Sequence, residues 1–115
     1  MAAGTLNFTI EQGATFNLIL TWEIDTIPVD INNWTARLQA RVDVEDTQTV
    51  LTLTTENGGI TLGGAAGTIS LDQSATQTAI LPAGNYVYDL ELISGIGVVT
   101  RLVQGELDIS AEVTR

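Results

Sequence analysis

The chain has 115 residues, 44% apolar and 16% charged, enough for one domain around a single core. It has no cysteine or histidine, and its four basic residues are all arginine, which excludes disulfides, thiolate or imidazole metal sites, histidine bases and lysine Schiff bases. The net charge of −10 makes nucleic acid and anionic membrane surfaces poor partners, and no apolar run approaches the roughly 18 residues that span a bilayer.

Apolar and polar residues alternate at period two along most of the chain, the pattern of strands with one buried face. Met1-Ala2-Ala3-Gly4-Thr5 lacks the basic and apolar stretches of a secretory leader, so none is expected, and the missing cysteines fit synthesis in the cytoplasm. Leu6, Phe8 and Ile10 form a first apolar face; beyond Gln12-Gly13, Phe16, Leu18, Leu20 and Trp22 form a second. Residues 25–33 hold Pro28 and Asn32-Asn33 and read as turns. Trp34, Ala36, Leu38, Ala40 and Val42 then alternate with Thr35, Arg37, Gln39, Arg41 and Asp43 in the clearest strand.

An acidic loop separates that strand from a β-branched one at residues 50–54. Asn57-Gly58-Gly59 suits a tight hairpin turn, so residues 60–62 are expected to return antiparallel to residues 50–54. Glycines at 63–67 make another turn before a short strand with Ile69 and Leu71. Residues 74–80, capped by Asp72 or Ser74, predict a helical turn that Pro82-Ala83-Gly84 stops. In residues 85–93, Tyr86, Tyr88, Leu90 and Leu92 share one face, and Val87, Asp89, Glu91 and Ile93 the other. Ser94-Gly95-Ile96-Gly97 is a hairpin loop. A last strand runs from residue 98 to 109, with a bulge expected at Gly105, where apolar parity shifts from Leu102 to Leu107 and Ile109. The pattern predicts a single-domain antiparallel β-sandwich over residues 1–115, about seven to eight strands, with a small barrel as the alternative. Residues 1–5 and 110–115 read as polar arms that stay loose until a neighbour orders them.

Few residues offer chemistry. Asp89 and Glu91 share one strand face and could act as an acid–base pair if their surroundings separated their pKa values; the plainer reading is a solvated face neutralised by Arg37 and Arg41. Asp43, Glu45 and Asp46 offer oxygens to Ca²⁺ but lack the glycine and spacing of an EF-hand loop, which favours a simply hydrated turn. Gly58-Gly59 and the glycines of 63–67 lie between strands without a lysine, so they read as turns rather than phosphate cradles. Trp22 and Trp34 fit core packing, or stacking on a sugar or partner if exposed. The threonines at 21, 35, 52 and 54 have no imidazole or side-chain amine to activate them and are better explained by strand preference.

Thr9-Ile10-Glu11-Gln12-Gly13-Ala14-Thr15-Phe16, Trp34-Thr35-Ala36-Arg37-Leu38-Gln39-Ala40-Arg41, Gly59-Ile60-Thr61-Leu62-Gly63-Gly64, Gly67-Thr68-Ile69, Tyr86-Val87-Tyr88-Asp89-Leu90-Glu91-Leu92 and Glu112-Val113-Thr114-Arg115 resemble small structural proteins of tailed phages and prophages. More distantly, the order of segments is similar to the immunoglobulin-like N-terminal domain of phage baseplate upper proteins. The resemblance implies an Ig-like sandwich and a non-enzymatic virion component, made in the host cytoplasm. It would dock to other virion proteins in several symmetric copies as a tail, baseplate, neck or fibre-attachment adaptor. A capsid decoration protein is one alternative, a carbohydrate- or receptor-binding module another, and a small carboxylate-dependent hydrolase would need two acidic groups facing each other in a pocket. Baseplate upper proteins continue past the sandwich, whereas this sequence stops at Arg115, which suits a freestanding adaptor. No catalytic residue, cofactor, metal, nucleic acid, membrane or small-molecule substrate is expected. Asp43, Glu45, Asp46 and Arg115 are the candidate interface residues.

Overall fold

The structure, a computed structural model, describes residues 3–114. Its strands are β1 (Gly4–Thr5), β2 (Phe8–Glu11), β3 (Phe16–Thr21), β4 (Glu23–Ile24), β5 (Ile27–Pro28), β6 (Thr35–Arg41), β7 (Leu51–Thr54), β8 (Ile60–Leu62), β9 (Thr68–Gln73), β10 (Gly84–Ile93) and β11 (Val99–Ser110). A short α-helix, α1 (Ala75–Ala79), links β9 to β10, and a 3-10 turn (Gly64–Ala66) lies between β8 and β9. Ser74 rather than Asp72 caps it: the Ser74 hydroxyl accepts from the Gln77 amide, and the Gln77 side chain accepts from the Ser74 amide.

Two sheets face each other. The larger runs β7-β6-β10-β11, with β1 and β2 both parallel to β11; the smaller runs β3-β9-β8. Alternation decides what lies between them. Ala36, Leu38 and Ala40 of β6, Leu90 and Leu92 of β10, and Leu107 and Ile109 of β11 are buried, as are Ile60 of β8 and Ile69 and Leu71 of β9. The sandwich expectation holds, and the barrel alternative does not, because the two sheets have separate edges.

The β10 entrance identifies the sandwich type. Tyr86, buried near the start of this strand, donates its hydroxyl hydrogen bond back to the Pro82 carbonyl at 2.8 Å. This is the tyrosine corner of immunoglobulin-like domains, and β7 extends the sheet beyond β6. Where antibody domains place a cysteine two residues later, this chain has Tyr88. Its ring meets Phe8 edge-on at 4.9 Å, and Phe8 stacks on Phe16 at 5.6 Å. An aromatic contact between the β2–β11 side and β3 thus occupies the region that a disulfide would staple. The fold is all-β and Ig-like.

Tyr88 also donates to the Leu6 carbonyl at 2.6 Å, and burial pushes its hydroxyl from 10.0 up to about 12. The unfolded chain therefore loses this proton first, and stability falls as pH rises from about 10 towards about 12. Alkaline absorbance titration is expected to show one phenol ionising near 12, and Tyr88→Phe is expected to remove that signal along with this part of the alkaline loss of stability. A normal titration of Tyr88 would contradict its buried placement.

Three local expectations change. Residues 60–62 pair with β9 and not with β7. The Asn57 side chain accepts from the Thr54 and Gly59 amides and donates to the Thr52 carbonyl. It closes the end of β7, and the chain crosses to the other sheet. The bulge lies at Leu102: Leu90 stands opposite Val103 while Glu91 stands opposite Arg101. Gly105 instead leaves room for the Leu6 carbonyl, which would lie 2.2 Å from an added Cβ. Residues 25–33, read only as turns, include the bend and second strand of a small β4–β5 hairpin, with Asp25 and Thr26 of the bend at positive φ.

Four residues of the two arms are hydrogen-bonded to the sandwich. Gly4 and Thr5 pair with Val103 and Gln104, Ser110 accepts from the Gln12 amide, and the Glu112 amide donates to Gln12. Met1, Ala2 and Arg115 lie outside the described residues.

Candidate functional site

The outward face of the larger sheet concentrates the chain's cationic side chains. Alternation puts Arg37, Gln39 and Arg41 of β6 there beside Val87, Asp89 and Glu91 of β10. Strict alternation would set Arg101 and Gln104, three residues apart on β11, on opposite faces. The extra residue at Leu102 brings both outward, Arg101 opposite Glu91 and Gln104 opposite Asp89. Together they edge a trough of about 640 Å³ lined by Gln39, Arg41, Asp89, Arg101, Gln104 and Glu106.

Pairing within the trough follows the register. Arg37 Nε donates to Glu91 Oε1 at 2.8 Å, and Arg101 Nε lies 3.5 Å from Asp89 Oδ2. Arg41, expected to neutralise these acids, turns away: its Nη2 donates to Gln39 Oε1 at 2.9 Å and its Nη1 to the Asp46 carbonyl at 3.0 Å. Among the described residues it has no ion-pair partner. Arg101 was missed as the Asp89 partner because only the bulge brings it into reach.

Burial raises the Asp89 pKa, with repulsion from Glu91 adding to it; Arg101, Arg37 and Arg41 pull it back. The charged form of Asp89 therefore costs stability at neutral pH, a cost relieved as pH falls through the raised value. Asp89 and Glu91 sit side by side, each beside an arginine on an open face, rather than opposed across a pocket as acid–base hydrolysis requires.

The acidic loop is built for its own shape. Asp43 Oδ1 accepts from the Glu45 amide and Asp46 Oδ1 from the Gln48 amide, while the Glu45 side chain is exposed. Among the described residues no three acidic groups converge as a cation site would need. The Asp46 carbonyl nevertheless belongs to the trough's edge through its bond to Arg41. Arg115, the fourth interface candidate, lies outside the described residues.

Trp22 and Trp34 meet edge-on at 5.6 Å, half-buried against the core. With Tyr86 buried, no described aromatic platform remains open for a sugar ring. Thr78, by contrast, is fully buried and donates to the Ala14 carbonyl, clamping α1 to the start of β3.

No family model and no curated protein matches the chain. Among solved structures, the chain is similar to the extracellular domain of the voltage-gated sodium channel beta4 subunit, studied as a parallel homodimer in cell–cell adhesion. The identity is 11%, the TM-score 0.43, and the alignment covers 98% of this chain and 97% of that one. A structure from a study of cell-adhesive interactions of these beta subunits aligns at 10% identity and TM-score 0.40, covering 99% and 98%. The expectation of a tailed-phage virion component, with its decoration and receptor-binding alternatives, is corrected by these findings. Both of these structures are ion-channel subunit domains and not phage proteins.

Proposed function

We propose that this chain is a non-enzymatic protein-binding domain whose contact surface is the outward face of β6, β10 and β11. The observation that carries the reading is the gathering of three of the four arginines on one face of a chain with net charge −10. Two of them face carboxylates of their own sheet; Arg41 is held in place by neutral acceptors and keeps its charge for a partner. Arginine is enriched in protein interfaces because its planar fork binds carboxylates in two places and loses little freedom when already positioned. The partner that fits is a protein presenting a carboxylate to Arg41 at the trough.

Photo-crosslinking tests this. A photoreactive residue in place of Gln104, in the trough, is expected to give one discrete protein adduct in extract of the source cells. Arg41→Glu should abolish that adduct, and the same probe at Thr61, on the outward side of β8, should not form it. Equal labelling from both positions, or labelling indifferent to Arg41→Glu, would overturn the assignment.

A further inference from the structure

The smaller sheet has an open edge. β3 pairs with β9 through Phe16↔Gln73 to Thr21↔Thr68, and no described strand pairs with its other side. Trp22, in the same register, donates its amide to the Gly67 carbonyl at 2.8 Å. Antiparallel ladders alternate the direction of their polar groups, so the even residues of β3 bond towards β9. The N–H and C=O groups of Asn17, Ile19 and Thr21 therefore face outward along the edge.

Edges of this kind are usually blunted by charge, proline or a bulge. β3 reads Phe-Asn-Leu-Ile-Leu-Thr, with none of these. Ile19 at its centre is 59% exposed, while Leu18 and Leu20 on the inner side are only partly covered. Asp72, the carboxylate next to the edge on the neighbouring strand, is engaged by the Asn17 side chain and by the Ser70 hydroxyl, which turns its charge along the sheet.

We infer that β3 is a homodimer edge, on which a second copy of this chain pairs its own β3 antiparallel about a two-fold axis through Ile19. The occupant is specified by self-complementarity. Residues 17–21, Asn-Leu-Ile-Leu-Thr, keep the same polar and apolar pattern read in either direction. A two-fold axis at Ile19 sets Ile19 against itself, Leu18 against Leu20 of the other copy and Asn17 against Thr21, which is what an isologous interface demands. Glu23 falls opposite Thr15 of the other copy, so like charges do not meet along the paired segment. For two molecules of charge −10 that matters: much of the remaining surface would set acid against acid. Pairing yields a continuous sheet of β8-β9-β3 and its symmetry mate, covers Ile19 and completes the burial of Leu18 and Leu20. This surface is separate from the arginine face, so either assignment can fail without the other.

Sedimentation velocity over a concentration series, on the chain and on Ile19→Lys, tests the inference. The unmodified chain is expected to show a concentration-dependent dimer. Ile19→Lys should raise the apparent Kd at least about tenfold by placing two ammonium groups at the axis, with unchanged circular dichroism because the side chain is exposed. Ile19→Lys mixed with Ile19→Glu should restore the dimer. The chain has no cysteine, so Ile19→Cys would carry the only thiol. Opposed Cα atoms in a bonded antiparallel pair lie about 5.5 Å apart, within disulfide range, and oxidation should link Ile19→Cys dimers faster than Thr61→Cys controls. A chain that stays monomeric up to about 1 mM, a dimer indifferent to Ile19→Lys, or equal crosslinking at both positions would each overturn it.

Discussion

Leu90→Ala is expected to cost about 3 to 5 kcal/mol, a large part of the roughly 5 to 15 kcal/mol that holds a domain of this size folded. Leu90 is fully buried at the middle of β10, between Leu38 of β6 and Val103 of β11. A residue on a sheet edge can be compensated by movement of its strand. β10 is bonded along both sides, so the space left by three missing carbons stays open and its lining loses contacts. Denaturant titration should show a lower midpoint with an unchanged slope. Val99→Ala, at an exposed position on β11, should stay within about 0.5 kcal/mol of the parent. A similar small effect at Leu90 would mean that the two sheets do not close over it.

Gly105→Val is the second large effect, and its cause is space. An added Cβ would lie 2.2 Å from the Leu6 carbonyl oxygen and 2.7 Å from Asn7 Oδ1. The segment cannot retreat and keep its bonds: the Leu6 amide donates to the Gln104 carbonyl at 3.0 Å, the Glu106 amide to Asn7 Oδ1 at 2.9 Å, and the Tyr88 hydroxyl to the Leu6 carbonyl at 2.6 Å. At about 1 kcal/mol for each bond, the loss is about 3 kcal/mol before any uncovering of Ile10. Hydrogen exchange should show lost protection at Leu6 and Glu106, with protection in β9 retained. Unchanged protection at Leu6 would show that the segment does not pass over Gly105.

Inward residues were legible wherever a strand is long and one face is dry. Ala36, Leu38 and Ala40, and Tyr86, Tyr88, Leu90 and Leu92, are buried as their alternation requires, because a shift of one residue would turn every apolar side chain of the strand to solvent. The Ser74 cap was legible for a similar reason: it depends on groups three residues away. Strand partnership was not. Asn57-Gly58-Gly59 reads as a hairpin, yet one amide side chain closes β7 and sends residues 60–62 to the opposite sheet. The arginine face was half legible. Arg37 opposite Glu91 follows from the two patterns, whereas Arg101 beside Asp89 depends on a bulge that the sequence suggests three residues too late.

By itself, then, the sequence determined composition, strand faces and the exclusion of imidazole, thiol and lysine chemistry, since each is a property of single residues or of spacing at period two. Only the tertiary structure decided which strands share a sheet, which guanidinium goes without an ion pair among the described residues and which of their edges is left open. Those outcomes depend on competition among distant groups for the same hydrogen bonds and the same space, and no local pattern records who wins.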